Sequence, residues 1–359
     1  MVNYVLRRLF YGILVLWGVV SLVFMLFNIL PGDASTMLLG QRADIASVEA
    51  IKKDLGLDKP LFTQYLNFLN DISPLSVHTV GDPNNYWNFN REKYTHAIIL
   101  HHFGHWVLAL KEPYLRRSYQ SKRPVTAIIA QAFPKTLLLA STAILFALLL
   151  GIILGIPAAI YKDSPYDRFM LVFSSLGMSV PSFFAAILIA WLFAFVLGKF
   201  TGLAMVGSLY SVDSYTGEMY VNLKNLILPA LTLGIRPLAI VISLIRSSLL
   251  DVLSQDYIRT AYAKGLSVRQ VIWKHAMRNA LNPVLTAISG WFASLLAGAV
   301  FVEYVFDWKG IGVVIVEALE KYDLPLIMGC VLFIAVILIF TNILVDIIYA
   351  LLDPRVSLS

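Results

Sequence analysis

The chain has 359 residues, 58% of them hydrophobic and 14% charged, with a mean hydropathy of +0.75 and a formal charge of +6. A soluble domain carries about a quarter charged residues, so this composition excludes a single soluble core, and a lone cysteine, Cys330, excludes an internal disulfide framework. The positive balance does not call for nucleic acid, because membrane proteins gather Lys and Arg on the cytoplasmic side of the bilayer.

A helix crosses a bilayer with about 20 apolar residues. Six stretches fit, in chain order Leu9 to Leu30, Thr136 to Ile160, Phe169 to Leu197, Leu226 to Ile245, Val284 to Phe306 and Leu324 to Leu352. The expected fold is therefore an all-α membrane protein of about six transmembrane helices. The first span reads as an uncleaved anchor, too long for a signal-peptide core and without a clear small-x-small cleavage site. Pro181 interrupts the third span, and Pro157 lies near the end of the second. Each removes a helix N–H and can kink its helix, and Ser179 and Ser182 are placed to satisfy freed carbonyls. Pro181 reads either as a static kink or as a break lining a pathway.

Three regions follow: an N-terminal tail and first span (1–30), a long segment with a helical cap (31–133), and a five-helix core (134–359) containing a basic loop (247–282). The segments holding Arg7, Arg8, Lys162, Arg168, Arg246 to Arg278 and Arg355 carry eleven basic residues, and the opposite short loops carry four, Lys199, Lys224, Lys309 and Lys321. That imbalance puts both termini in the cytoplasm and 31–133 outside. Within the outer segment, "SVEAIKKDLGLDKPLFTQYLNFLNDI" reads as two amphipathic helices, stopped at Gly56 and restarted at Pro60. Residues Ser73 to Pro113 are rich in Asn, His, Tyr and Trp with weak periodicity. His101 and His105 are one helical turn apart if that stretch is a helix, a spacing that suits either a metal or, more simply, an aromatic surface patch.

The basic loop joins spans four and five. Asp251 to Lys264 reads as one helix, Gly265 supplies the positive φ of a helix end, and Ser267 is the N-cap of a second helix, Val268 to Ala280. An anchor on anionic lipid explains the charge. It does not explain the small residues Ala261, Ala263 and Gly265, which let another surface approach the backbone, so the loop reads as a docking surface for a cytoplasmic protein.

Arg236 lies about ten residues into span four, roughly 15 Å along the helix and near mid-bilayer. A cation there faces an interior or an aqueous cavity. It reads either as a pathway residue attracting a carboxylate or carbonyls, or as half of an ion pair with Glu303 or Asp346. Glu303 and Asp346 themselves read as structural partners near span ends. The sequence holds no GxxxxGK[ST] phosphate loop, HExxH or GxSxG.

Several strings taken in order resemble one family. They include "YVLRRL", "LGLDKPLFTQYLNFL", "SKRPVTAII", "SVPSFF", "LPALTLG", "RSSLLDVLSQDYIRTAYAKGL", "RNALNPVLT", "FVEYVFDWKGIG" and "VDIIYALLDPR". Together they resemble the B-type permease of oligopeptide and dipeptide ABC importers, and the basic loop resembles the EAA coupling loop of such permeases. The family's acidic position is Arg259 here and its first alanine is Thr260, while Ala261 and Gly265 match. Residues from about Pro74 to Tyr114 exceed the family pattern. The resemblance implies a docking site for ATP-binding subunits at Tyr257, Arg259, Thr260, Ala261, Ala263, Lys264, Gly265 and Leu266. It implies a substrate pathway through Ser179, Pro181, Ser182 and Arg236, with no catalytic residue and no metal. It also implies a second homologous permease, two ATP-binding subunits carrying ATP and Mg, an extracytoplasmic peptide-binding protein, and a bacterial cytoplasmic membrane whose lipid surrounds the spans. The chain itself would bind no cofactor. The cargo implied is a peptide, or alternatively nickel or another small solute. An autonomous channel or secondary transporter is the remaining reading.

Overall fold

A computed structural model describes residues 2–29, 59–81, 85, 87–91, 93–94, 96–213 and 216–352. The first amphipathic helix, Gly56 and Arg355 lie outside the described residues. The chain divides into two compact units, Ala132–Val314 with Ile337–Ser359, and Val2–Gln131 with Ile315–Val336.

In chain order the helices are α1 (Val2–Ile29), α2 (Leu61–Ile72), α3 (Val125–Ile160), α4 (Pro165–Ser179), α5 (Ser182–Ile189), α6 (Gly198–Thr201), α7 (Lys224–Leu253), α8 (Asp256–Ala263), α9 (Val268–Gln270), α10 (Met277–Ala280), α11 (Asn282–Gly298), α12 (Val300–Phe306), α13 (Ile311–Glu320) and α14 (Leu324–Leu352). π-Helical turns at Ala190–Val196 and Val271–Ala276 follow α5 and α9. Among the described residues α3, α7 and Leu324–Ile347 of α14 suffice by length and composition to cross a membrane, and up to five spans result if each of two bent pairs is one span. Phe10–Leu26 of α1 is a shorter apolar helix on the same measure.

The third expected span is a full break rather than a kink: α4 and the helix from Ser182 to Val196 meet at 111°. Proline pushes the residue before it out of the helical region. Val180 accordingly has ψ 127° and Pro181 ψ 138°. The Ser179 hydroxyl donates to the Ser175 carbonyl at 2.9 Å, as expected of a polar group beside a broken helix. The fifth expected span, Val284 to Phe306, is also broken, with α11 and α12 bent by 59°. Pro157, by contrast, stays within the continuous 36-residue α3.

The all-helical expectation fails in the segment between α2 and α3. There β1 (Leu75–Thr79), β2 (Ile98–Phe103) and β3 (Trp106–Leu110) form an antiparallel sheet in the order β1-β3-β2. A second ribbon pairs β4 (Tyr210–Val212) with β5 (Met219–Val221). The strands are short, and their two-residue alternation is carried partly by Ser and His, which hides it in the sequence. His101 therefore lies in a strand and His105 beyond its end, so the one-turn helical spacing does not exist. The His101 ring lies 4.4 Å from that of Phe103, its same-face neighbour two residues on.

Behind the sheet α2 runs from Pro60, whose carbonyl accepts from the Gln64 N–H at 3.1 Å, matching the expected restart. Near its end Asp71, with 1% of its side chain exposed, accepts from Lys93 Nζ and the Tyr94 hydroxyl, each at 2.7 Å, and from Arg116 Nε at 3.2 Å. Burial alone would raise this carboxyl, but Lys93 and Arg116 outweigh it and hold it below the usual carboxylate range. Asp71 thus contributes stability above its unfolded pKa and loses it as pH falls through the lowered folded value. Removing one partner of a buried pair costs about 3–5 kcal/mol. The expected result for Asp71→Asn is a thermal transition lowered by several degrees at neutral pH. The gap from wild type should narrow in acid, where wild type also loses the charge.

Candidate functional site

The basic loop folds as a compact knob. α7 ends at Leu253 and a fresh helix, α8, begins at Asp256, so the helix expected from Asp251 is broken at Ser254 and Gln255. Gln255 takes an extended conformation (ψ 150°), and its backbone turns the chain away from α7. Ile258 and Ala261 of α8 bury against Val271, Ile272, Ala276 and Met277, and this cluster continues into Ile245 and Leu249 of α7. Burying an Ile, Val or Met side chain fully contributes about 1.5–3 kcal/mol, so four such residues make the knob a pre-formed body. Asn279 donates to the Tyr257 hydroxyl at 2.8 Å, tying α10 to α8.

Gly265 has φ +77° and donates to the Tyr262 carbonyl at 2.9 Å, closing α8 as the sequence leads one to expect. The Ser267 N–H donates to Gln270 Oε1 at 3.1 Å, half of a capping box that starts α9. Of the expected docking residues, Tyr257, Arg259, Thr260, Ala263, Lys264 and Gly265 are exposed and Leu266 is half-buried. Ala261 is 5% exposed and packs inside the knob. Trp273, 56% exposed, and Tyr262, 41% exposed, extend the surface beyond the residues that the sequence singled out.

The expected pathway residues come together only in part. A cavity of about 300 Å³ is lined by Val180, Ser182, Thr232, Arg236, Trp291 and Ser294. Arg236 and Ser182 meet there because the break at Pro181 turns the start of α5 toward α7. Pro237 has no N–H to offer the Leu233 carbonyl, and Leu233 also lines the cavity. Ser179 and Pro181 are exposed and are not among the cavity residues. The ion pair between Arg236 and Glu303 is not formed.

Glu303 is instead fully buried and accepts from the Thr136 hydroxyl at 2.6 Å and the Gly312 N–H at 2.7 Å. Thr136 Oγ1 in turn accepts from the Ile311 N–H at 2.9 Å. A side chain at Gly310 would collide with the Glu303 carboxylate, which explains a glycine at that position. Asp307, at φ +54°, ends α12, and the following Trp308 is buried and donates to the Lys135 carbonyl at 3.0 Å. A bidentate pair between Asp167 and Arg246 ties the start of α4 to α7. Nothing in the residues beside Glu303 announces these partners, since Thr136 lies 167 positions away.

Two family models match. The binding-protein-dependent transport system inner membrane component covers residues 147–358, and the N-terminal membrane component of the same systems covers residues 1–84. The chain belongs to this family. It is 33% identical to the di/tripeptide transport system permease protein DppB of Pseudomonas aeruginosa, over 99% of each chain. It is 34% identical to the glutathione transport system permease protein GsiC of Escherichia coli, again over 99% of each. Among solved structures, a chain of the methionine ABC transporter MetNI in an inward-facing conformation superposes with a TM-score of 0.52 at 12% identity, covering 64% of this chain and 97% of that one. At that identity the likeness shows a shared fold. A membrane permease with several apolar helices, mostly helical, is the architecture of this inner membrane component. The strings that carried the resemblance are spread along the chain: the first two fall within residues 1–84, matched by the N-terminal model, and those from "SVPSFF" onward within residues 147–358, matched by the larger one.

Proposed function

We propose that the chain is one of two permease subunits of an ATP-driven peptide importer in a bacterial cytoplasmic membrane. The observation that carries this reading is end-to-end similarity to permeases named for di/tripeptides and glutathione. In this reading the knob α8–α10 lies on the cytoplasmic side with both chain termini. Two ATP-binding subunits dock on its exposed face, at Tyr257, Arg259, Thr260, Ala263, Lys264, Gly265 and Leu266, with Ala261 shaping that face from within. ATP and Mg stay on those subunits. A second permease completes the pathway, and an extracytoplasmic binding protein delivers the cargo.

The knob is packed continuously onto α7 through Ile258, Ala261, Ile245 and Leu249. A push on α8 therefore reaches α7, the helix that carries Arg236. Interfaces of this kind change by rigid-body shifts between alternative packings, and the bound nucleotide biases their populations.

Arg236 supplies a cation to the cavity, and the described residues give it no ion-pair partner. It is suited to a carboxylate or to peptide carbonyls, with Trp291 offering an apolar wall. A hydrogen bond to a charged group contributes about 1.5–3 kcal/mol, or roughly tenfold to a hundredfold in affinity. Arg236→Gln is expected to reduce peptide uptake by about that factor at limiting substrate while the complex still assembles. Normal uptake by a normally assembled variant would remove Arg236 from the pathway. The function itself is tested by purifying the chain with its co-eluting subunits, reconstituting them in liposomes, and measuring ATP-dependent uptake of labelled dipeptide, tripeptide and nickel. Nickel uptake without peptide uptake would overturn the cargo, and uptake without any ATP-hydrolysing companion would overturn the coupling.

A further inference from the structure

A cavity of about 230 Å³ lies in the sheet-bearing unit, lined in part by Lys93, Tyr94, Lys111, Tyr114, Arg116 and Arg117. Four of those six carry positive charge. Among the described residues two carboxylates face them. Asp71 is buried and already holds Lys93, Tyr94 and Arg116. Glu112 lies at the exposed rim, where it pairs with His96 at 3.4 Å.

Lys111 receives neither carboxylate side chain. Its ammonium donates to the backbone carbonyls of Asp71 and Ser73 and lies 4.9 Å from the centre of the Tyr94 ring. Burial lowers this ammonium, the Asp71 charge offsets only part of that, and Lys93 lowers it further, to about 8. Lys93 sits 5.0 Å from the ring centres of both Tyr94 and Tyr114. Arg116 holds φ +65°, a backbone conformation that side-chain-bearing residues rarely adopt. Such residues persist where the surroundings force them, and they cluster at ligand clamps. A partly enclosed site with more cations than carboxylates lacks negative charge, and an entering anion supplies it.

We infer that this cavity binds a small oxyanion, a carboxylate or phosphate, between Lys93, Lys111 and Arg117. The volume falls below the range of about 300–1,000 Å³ that encloses a drug-sized ligand, so it suits a terminal group rather than a whole peptide. The source of the carboxylate rests on the proposed function: it is the C-terminus of an incoming peptide, met at a site separate from the Arg236 cavity.

The test uses the assembled complex in phosphatidylcholine nanodiscs. Calorimetric titrations compare inorganic phosphate, Ala-Ala and Ala-Ala amide on wild type and on Arg117→Gln, Lys93→Gln, Lys93→Arg and Arg236→Gln. Arg117 donates to the exposed Lys122 carbonyl, is hydrogen-bonded to Tyr114 and makes no bond to Asp71, so its replacement leaves the bonds of the Asp71 carboxylate in place. The expected result is phosphate and Ala-Ala binding that weakens about tenfold or more in Arg117→Gln and Lys93→Gln, is retained in Lys93→Arg and Arg236→Gln, and is missing for the amide. Phosphate binding without Ala-Ala binding keeps the oxyanion site and rejects a peptide as its source. Phosphate and Ala-Ala affinities that are undetectable, or unchanged by Arg117→Gln, overturn the site. Peptide uptake in liposomes is scored separately, so intact uptake with no oxyanion binding removes this inference and leaves the transport function standing.

Discussion

Gly265→Val is expected to abolish ATP-driven uptake while the permease still reaches the membrane at near-normal levels. Gly265 sits at φ +77° between α8 and α9, and a Cβ built there meets no atom of the chain within 4 Å. The damage is therefore not a clash within the chain. A left-handed conformation costs an ordinary residue about 1–2 kcal/mol, and more for a β-branched one. The chain relieves that strain by rotating the backbone where Leu266 and Ser267 begin the second helix, which turns the exposed faces of α8 and α9 relative to each other.

Gly265→Asn separates the causes, because Asn tolerates the left-handed region but still adds bulk. Partial recovery by Asn would show that conformation dominates. Equal loss in both variants would show that a partner approaches the glycine closely. The readouts are co-purification of the ATP-binding subunits and coupled peptide uptake, and unchanged values for Gly265→Val would sink the docking role. Ala261→Phe is a poorer probe, since Ala261 is buried in the knob and the larger side chain overpacks it.

Glu303→Ala is expected to lower the amount of folded protein in the membrane several-fold and to destabilise what remains by about 3 kcal/mol or more. It strands the Gly312 N–H and the Thr136 hydroxyl in a buried site, and each orphaned polar group costs about 1–3 kcal/mol. Thr136→Val removes the same hydroxyl and also the acceptor of the Ile311 N–H. The double variant should be less destabilised than the two single losses added together, because both break one network. Glu303→Gln keeps the shape but exchanges an acceptor oxygen for a donor, so an intermediate loss is expected. The measurements are membrane abundance and thermal unfolding in detergent. Strict additivity would show that Glu303 and Thr136 do not act as a unit.

Local features were legible in the residues. Apolar runs of about 20 residues announced the long apolar helices α3, α7 and α14. Gly265 and Ser267 marked the helix end and start that the structure contains, because caps depend on a few neighbouring residues. The break at Pro181 was legible for the same reason, although its size was not. The strands of the sheet were missed because they are five or six residues long, β1 buries Ser76 and His78 where apolar residues would show the alternation, and β3 is a short apolar run without a polar alternate.

By itself the sequence determined the membrane character of the chain, the order of its apolar helices, the two-helix form of the knob and, through strings spread along its whole length, the family. Tertiary structure alone decided the partners of its buried charges. Asp71 meets Lys93 and Arg116, Glu303 meets Thr136 across 167 residues of chain, and Asp167 meets Arg246, while the exposed Arg236 shares a cavity with Trp291 instead of pairing with Glu303. The physical reason is range. Span length, helix caps and proline breaks follow from residues within a turn or two, whereas a buried charge is satisfied by whichever donor the packed helices bring beside it.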